Sequence, residues 1–410
     1  MLTNARRRRA TLSLVLATAL IVVACGGATT TPQKTQQATP QASGQPAASQ
    51  AVGSAQPQYV YNPTINVYSG VDANLIEPPG AKSYDAQFGT PLKAPTSGGM
   101  MSLPWSYVLP LPDGPIGDAT KTYTFAFSQA LTCTWCTAQL DSVLIEAARH
   151  PNVKILAYNT NNDPLKQVAD LETAVAQKVD GILVWPHSVA PLTPEIEKIY
   201  NAGIPIIGME RTVATSKYSS WIYLDNAKAT ADVAAAVCKA LNGKGTVAET
   251  DGAAGSSPQI LRQQGFVGAL KYMCPDVKVV FTSPTDYSRA QGYKVATDFL
   301  QSPKGKDIQA WYDQYSEIGF GINKALKDNN LTDLPHFTIV DGKVATQAVI
   351  DGAFTGVAPW SPVHGDLALR AMIYLVTGRA SEVPHAFLLT QPPLITKGNA
   401  PEVLKNEWPG

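Results

Sequence analysis

The fold is decided by the stretch Gly181-Ile182-Leu183-Val184-Trp185 and by the alternation of similar runs with helical segments on both sides of it. A short apolar run of this kind is typical of a strand buried on both faces of a sheet. The predicted order is strand 123–127, helix 138–149, strand 153–158, helix 164–177, strand 181–185, helix 193–202 and strand 204–208. This alternation predicts a doubly wound parallel sheet with right-handed crossovers.

A second series of the same kind follows, and 410 residues are more than one ordinary core needs. It comprises helix 228–241, strand 245–250, helix 258–272, strand 277–282, helix 289–301, strand 308–312, helix 317–328 and strand 337–341, with a helix near 365–377 and a strand near 386–391 closing the chain. The sequence therefore predicts the α/β class, with two Rossmann-like doubly wound parallel-sheet lobes joined by a hinge. The hinge is expected near 223–226, 360–362 and 387.

The composition changes along the chain and predicts its domain organisation. Residues 26–58 are almost entirely Thr, Gln, Pro, Ala, Ser and Gly, a composition that cannot bury enough apolar surface to fold. Residues 59–119 mix aromatic residues with many Pro and Gly and show no periodicity. The predicted division is a signal peptide at 1–24, a disordered tether at 25–58, an irregular N-terminal arm at 59–119, a first lobe at 120–224 plus 361–386, a second lobe at 225–360 plus 387–396, and a C-terminal tail at 397–410.

The N-terminus has the features of an export signal. Arg6 to Arg9 precede a short apolar run from Leu12 to Val23, and the run ends at Val22-Val23-Ala24-Cys25-Gly26. This ending resembles the bacterial lipoprotein signal, which implies that Cys25 becomes the acylated first residue of the mature protein. An ordinary N-terminal membrane anchor is the alternative interpretation. We expect an extracytoplasmic protein held at the cell membrane by lipidated Cys25.

Charge argues against a nucleic-acid partner. Lys plus Arg and Asp plus Glu number 32 each, and loss of the four leader arginines gives a mildly acidic mature chain. After Arg9 no cluster of Lys or Arg remains, so a nucleic-acid-binding surface is not expected. We expect a monomer.

The loops after the strands contain the candidate site, because ligands of such sheets bind at the carboxyl ends of the strands. Gly208-Met209-Glu210-Arg211 follows one strand, and Thr250-Asp251-Gly252 opens a glycine-rich loop that leads to Arg262. Charged side chains in these loops can form strong hydrogen bonds to hydroxyl groups. Aromatic side chains such as Trp135 can cover the C–H faces of a sugar.

From about Tyr123 to Thr396 the chain resembles the ribose-binding-protein branch of the type 1 periplasmic binding proteins. The resemblance implies that Arg262 lies at a sugar-binding arginine, that Glu210-Arg211 matches an acid–arginine pair, and that Asp341 matches a carboxylate that binds ligand hydroxyls. Trp360 stands where the family has a glutamine, and Asp313-Gln314-Tyr315-Ser316 replaces an Asn-Asp pair. The predicted ligand-binding residues are Trp135, Glu210, Arg211, Arg262, Tyr287, Tyr315, Asp341 and Trp360.

Four cysteines remain after Cys25, an even number for an oxidising compartment. We expect a disulfide between Cys238 and Cys274, with free thiols as the alternative. Cys133-Thr134-Trp135-Cys136 lies after a strand and before a helix, where a redox-active thiolate would be stabilised. A structural disulfide that braces the Trp135 loop is the favoured interpretation, and a thiol–disulfide oxidoreductase is the main rival.

Other chemistry has little support in the sequence. The five histidines are scattered without a second Cys pair at zinc spacing, and neither a Gly-x-Ser-x-Gly elbow nor a phosphate-binding P-loop occurs. We therefore expect no metal, no cofactor and no catalysis. The expected function is that of a solute-binding lipoprotein which delivers a monosaccharide or polyol to the permease of an ABC transporter. A module that presents ligand to a chemosensory receptor is the remaining alternative.

Overall fold

A computed structural model describes residues 60–62, 67–69, 91–93, 103–340 and 342–408. The predicted signal peptide, the predicted tether with Cys25, and Asp341 lie outside the described residues. Fifteen strands are described: β1 Val60–Asn62, β2 Val67–Ser69, β3 Pro91–Lys93, β4 Tyr123–Gln129, β5 Val153–Asn159, β6 Gly181–Trp185, β7 Ile206–Glu210, β8 Ser220–Leu224, β9 Lys244–Asp251, β10 Asp276–Pro284, β11 Ala310–Asp313, β12 His336–Ile339, β13 Gly356–Ala358, β14 Ala386–Thr390 and β15 Ile395–Thr396.

Helices connect most of these strands. Ten α-helices are described: α1 Thr134–Ala147, α2 Pro164–Ala176, α3 Val189–Asn201, α4 Asn226–Ala240, α5 Ser257–Met273, α6 Arg289–Leu300, α7 Ser316–Asp328, α8 Lys343–Ile350, α9 Gly365–Val376 and α10 Ala400–Val403. Local sequence sets their ends. Asp163 caps α2 by accepting from two backbone amides, and Pro164 takes the first helical position, where no donor is lost.

Apart from β1 and β2, which pair with each other in a two-stranded antiparallel sheet, the described strands form two larger sheets, each with helices packed on it. The first has the order β3-β14-β8-β7-β6-β4-β5 and is parallel throughout. The second has the order β10-β9-β11-β12-β13-β15 and is parallel except for β15. In β11 the neighbours Trp311 and Tyr312 are both buried but belong to different apolar clusters, so both faces of the second sheet are covered. We call the unit around the first sheet lobe 1 and the unit around the second sheet lobe 2.

The chain crosses between the lobes three times, and the third crossing corrects the prediction. The crossings follow β8, lie between β13 and α9, and lie between β14 and β15. The predicted boundary at residue 387 is wrong, because β14 pairs with β8 in lobe 1 along its length. Strand β14 is almost entirely apolar and buried between β8 and β3, so the chain leaves lobe 1 only after Thr390.

Strand β8 was not predicted as a strand, and neither were β13, β15, α8 and α10. The parallel strands β7 and β8 are joined by a loop over 211–219 without a helix, and a pattern of alternating strands and helices does not anticipate such a connection. Trp221 of β8 packs on Tyr218 of this loop, with ring centroids 4.8 Å apart. The connection between β7 and β8 is therefore held by packing of its loop on β8 and not by a crossover helix.

The described part of the arm contains the short strands β1, β2 and β3, of which β2 lies against α4 and β1 against α5 of lobe 2. Residues 103–119 form neither helix nor strand and pack on lobe 1. Trp105 is buried, donates through its indole to the carbonyl of Val363 at 2.7 Å, and donates its backbone amide to Asp366 at 3.2 Å. Strand β3 extends the first sheet beyond β14. At the other end of the chain, residues 397–408 are packed rather than forming a free tail. Trp408 is buried, and its carbonyl accepts a hydrogen bond from Lys343.

Candidate functional site

The carboxyl ends of the two sheets face each other across a cavity of about 380 Å³. Lobe 1 contributes residues from the loops after β4, β5, β6 and β7, and lobe 2 contributes residues that follow β9, β10, β11 and β12. Trp360, at the second chain crossing, completes the wall. A mostly apolar cavity with a few converging polar groups is the usual form of a small-ligand site.

The structure brings seven of the eight predicted ligand-binding residues to this one cavity. They are Trp135, Glu210, Arg211, Arg262, Tyr287, Tyr315 and Trp360. Asp341, the eighth, lies outside the described residues, although the preceding residue Val340 lines the cavity. The ligand-binding role of all eight stays a prediction.

Glu210 is the centre of the polar network on the lobe 1 side. One carboxylate oxygen, Oε2, accepts from the indole of Trp185 at 2.8 Å, and the other, Oε1, accepts from the indole of Trp360 at 3.1 Å. Oε1 also lies 3.6 Å from a guanidinium nitrogen of Arg262, so the acid joins groups from both lobes. Each oxygen of a carboxylate has two acceptor positions, so Glu210 retains capacity to accept from a ligand.

Arg211 is buried next to Glu210 and has spare donors. Its Nη1 donates to the carbonyl of His187 at 2.6 Å, and its guanidinium lies on the ring of Trp185 at 4.6 Å and near Tyr287 at 5.4 Å. Its Nε has no hydrogen-bond partner within the described structure. Burial lowers the pKa of Arg211, and burial together with the neighbouring Arg211 lowers the pKa of His187 to about 4.

Arg262 occupies the corresponding position in lobe 2. Its Nε donates to Asn226 at 3.1 Å, and its Nη1 donates to the carbonyl of Gln314 at 2.6 Å. The guanidinium plane lies over the ring of Trp360 at 4.4 Å. These contacts fix the planar group so that its third nitrogen is directed towards Glu210, a geometry that a lysine ammonium could not reproduce.

Two buried acids of β9 stand behind Arg262. The side-chain amide of Gln314 donates to Glu249 at 3.3 Å and to Asp251 at 3.1 Å, while the backbone carbonyl of Gln314 accepts from Arg262. Burial raises the pKa of Glu249 well above its ordinary value and raises the pKa of Asp251 to about 7. This network makes the position of Arg262 dependent on the core of lobe 2.

Aromatic rings form much of the remaining wall. Trp135 and Trp185 are in contact, with ring centroids 5.3 Å apart, and the indole of Trp135 donates to the carbonyl of Trp360 at 2.8 Å. On the lobe 2 side, Tyr287 and Tyr315 meet edge to face at 5.7 Å. Burial raises the pKa of both phenols, which therefore stay protonated as potential donors. Such faces match the C–H surfaces of a carbohydrate.

Backbone strain marks the cavity. Several of its lining residues have positive φ, which is uncommon for residues other than glycine. These are Asn161, Asn162, Glu210, Asp286, Tyr287 and Val340, with φ between 51° and 77°. For a β-branched residue such as Val340 the conformation is unusual, and the surrounding packing must maintain it. Gly252 is needed for a related reason, since a Cβ atom there would overlap the ring of Tyr287.

Sequence reasoning missed several lining residues. Trp185 ends a predicted strand, Asn161 and Asn162 follow another, and Asp286 precedes Tyr287. Their position directly after strands was the available signal. The side-chain oxygen Oδ1 of Asn162 accepts from Nε2 of His187 at 2.8 Å, so this loop is linked to the residue whose carbonyl accepts from Arg211.

The lobes touch directly beside the cavity. The backbone amide of Thr212 in lobe 1 donates to the hydroxyl of Ser257 in lobe 2 at 2.7 Å. The amide of Val189 donates to the carbonyl of Gly255 at 3.3 Å. The structure therefore has the lobes in contact across the cleft.

The four described cysteines lie in two pairs. The sulfur atoms of Cys133 and Cys136 lie at disulfide distance with Cα atoms 5.0 Å apart, and those of Cys238 and Cys274 do so with Cα atoms 5.9 Å apart. No group of three or more His, Cys, Asp or Glu side chains that could hold a metal ion occurs in the described part of the chain. Within the same ranges, no helix is both long enough and apolar enough to cross a membrane.

Two doubly wound lobes, three chain crossings and a polar–aromatic cavity at facing strand ends define the class of two-lobe solute-binding folds. The family model of the periplasmic binding protein domain matches residues 130–380, so the chain belongs to that family of extracytoplasmic binding proteins. The predicted family resemblance and the predicted fold class are confirmed. The family gives no support to the oxidoreductase alternative or to the receptor-module alternative.

Relatives at low identity agree with this family. The chain is 26% identical over 257 residues to a xylitol-binding protein of Mycolicibacterium smegmatis, covering 62% of this chain and 71% of that protein. It is 25% identical over 260 residues to a ribose import binding protein of Bacillus subtilis, covering 63% of this chain and 83% of that protein. A crystal structure of a galactofuranose-binding protein superposes with a TM-score of 0.65 at 24% identity, covering 70% of this chain and 98% of that one, which shows a shared fold.

Proposed function

We propose that this protein binds a monosaccharide or a related polyol between its lobes and delivers it to the permease of an ABC transporter. The observation that carries the proposal is the pair of buried arginines, Arg211 and Arg262, on opposite lobes and on either side of Glu210. Buried charged donors and acceptors form strong hydrogen bonds to hydroxyl groups, and the adjoining indole and phenol rings suit C–H faces. The relatives named as xylitol-binding, ribose-binding and galactofuranose-binding proteins support the same ligand class.

The proposed mechanism is non-covalent and involves no chemical step. A ligand that contacts Arg211 in lobe 1 and Arg262 in lobe 2 gains both sets of contacts only when the lobes are together. It therefore stabilises the closed arrangement, which the permease would recognise. The Thr212–Ser257 and Val189–Gly255 hydrogen bonds would form on closure and add to that stabilisation.

Isothermal titration calorimetry against pentoses, hexoses, furanose sugars, polyols and amino acids tests the proposal. We expect saturable binding of at least one sugar or polyol and loss of that binding in Arg262→Ala. Arg379→Ala is the matched control, because Arg379 is exposed and pairs only with neighbouring groups, Glu382 and Tyr374. Binding of amino acids alone, or no difference between the two variants, would contradict the proposal.

We also propose that Cys25 carries the lipid anchor and that the segment from Cys25 to residue 58 tethers the lobes outside the membrane. The leader sequence supports this, since a short apolar run ending at Ala24-Cys25 suits lipoprotein processing. The full-length protein should fractionate with membranes in its native host type, and Cys25→Ala should release it or leave the leader uncleaved. Mass spectrometry of the N-terminal peptide would decide, because an unacylated Cys25 in the mature protein contradicts the anchor.

We propose further that the protein is a monomer in solution. Light scattering, which measures the molar mass, should give the mass of one chain.

A further inference from the structure

The Cys133–Cys136 pair forms part of the cavity wall. Cys133 lines the cavity and is half-buried, while Cys136 is fully buried in the lobe 1 core. The two residues are three positions apart and span the start of α1. Their bond therefore closes a small ring of residues at the edge of the ligand site.

Trp135 lies inside that ring and organises the indole wall. Its side chain is buried, its Nε1 donates to the carbonyl of Trp360, and its ring contacts Trp185. Trp185 in turn donates to Glu210, which also accepts from Trp360. A displacement of Trp135 would therefore disturb the contacts of Trp185, Trp360 and Glu210 in the proposed site.

The N-terminal cap of α1 is weak. Cys133 is the N-cap residue, and its sulfur accepts from the backbone amide of Cys136 at 3.1 Å, where Ser, Thr, Asp or Asn usually supplies an oxygen. Sulfur is a weak acceptor, so the covalent bond rather than the cap hydrogen bond restrains this turn. The turn also lacks an acidic residue that would favour the helix N-terminus.

We infer that the Cys133–Cys136 disulfide positions Trp135 in the ligand site, so that its reduction weakens ligand binding. The step is a two-electron exchange with a dithiol: the reductant's two thiols become a disulfide, and Cys133 and Cys136 each receive one electron and one proton to become thiols. The protein is the electron acceptor in this step and acts on no substrate. The inference rests on the proposed function for its affinity readout only.

The test compares two cysteine-pair variants of the same chain. Cys133→Ser/Cys136→Ser should raise the Kd for the sugar or polyol about three- to tenfold, the cost of leaving one large side chain unrestrained, and should make the Kd insensitive to dithiothreitol. Cys238→Ser/Cys274→Ser is the matched control, since that pair lies in lobe 2 and does not line the cavity. In this control, dithiothreitol should still raise the Kd by the same factor as in the wild type.

A second measurement needs no ligand. Reduction of the wild-type protein should increase acrylamide quenching of tryptophan emission, and the increase should be absent in Trp135→Phe. If quenching and Kd are both unchanged on reduction of Cys133–Cys136, the inference is wrong while the proposed function stands. If no sugar or polyol binds the oxidised protein, the proposed function fails, and the quenching result alone decides whether the disulfide positions Trp135.

Discussion

The carboxylate of Glu210 accepts the indole N–H of Trp360 at 3.1 Å, which joins the end of a lobe 1 strand to the residue at the second chain crossing. Trp360 at the same time lies beneath the guanidinium of Arg262 from lobe 2. The buried carboxylate of Glu210 therefore orients Trp360, an aromatic residue that contacts both lobes. The geometry of the proposed ligand site and that of the hinge are coupled through this contact.

Glu210→Gln should disrupt this arrangement. A glutamine amide offers one oxygen and one NH₂ group, so one of the two indole donors, Trp185 or Trp360, would face another donor. We expect the Kd to rise at least tenfold and the free energy of unfolding to fall by about 1–3 kcal/mol, the cost of a buried unsatisfied group. Calorimetry and urea unfolding measure these changes.

Glu317→Gln is the control for this substitution, because that carboxylate is exposed and pairs only with exposed Arg289. It should change stability by less than about 1 kcal/mol. If the two substitutions changed the free energy of unfolding equally, the indole contacts of Glu210 would not contribute to stability as proposed.

Ser257→Ala removes the hydroxyl that accepts the Thr212 amide across the cleft. The amide would then be unsatisfied only when the lobes are together, so the closed form should lose about 0.5–1.5 kcal/mol relative to the open form. The Kd should rise about three- to tenfold, and small-angle scattering of the ligand-free protein should show a larger radius of gyration. Thr297→Ala, which removes a hydrogen bond within α6, should change neither quantity; a similar change there would argue against an inter-lobe role for Ser257.

Asp225 at the first crossing should make stability depend on pH. Its Oδ1 caps α4 by accepting from Lys228, its Oδ2 has no hydrogen-bond partner within the described structure, and burial raises its pKa to about 7 from 3.8. Below pH 4 the carboxyl is protonated in both the folded and the unfolded chain. Between about pH 4 and 7 only the unfolded chain releases the proton, so this group lowers the free energy of unfolding as pH rises, and above pH 7 the loss is complete.

Asp225→Asn keeps the cap without the titration, because Asn is an equally good N-cap residue. From pH 4 to pH 8 the wild type should lose on the order of 2–4 kcal/mol of stability relative to the variant. Urea unfolding at several pH values measures the difference between the two proteins, which removes the contribution of other groups. A difference that does not vary with pH would mean that Asp225 titrates normally in the folded protein.

Trp105→Ala tests whether the irregular arm contributes to lobe 1. The side chain is 2% exposed and bonded to the carbonyl of Val363 near the second crossing. Its loss should cost about 3–5 kcal/mol in the free energy of unfolding, as for other buried tryptophans. Leu165→Ala is the control, since Leu165 is 72% exposed and should lie within about 0.5 kcal/mol of the wild type.

The strands that the sequence predicted are those whose burial leaves a local pattern in the sequence. Runs such as Gly181–Trp185 are strands because burial on both faces requires continuous apolar residues, and that requirement is visible locally. Strand β8 was missed because its link to β7 is a loop, and its place in the sheet comes from pairing with both β7 and β14. The boundary near 387 failed for the same reason, since pairing partners decide to which lobe β14 belongs.

The sequence by itself determined two doubly wound lobes and placed charged and aromatic residues after their strands, because strand periodicity and strand-end chemistry are local properties. Only the tertiary structure decided that Glu210 faces Trp185, Trp360 and Arg262, and that Trp135 shares their wall. Those contacts join residues up to 225 positions apart, and their partners are chosen by how the two sheets meet across the cavity.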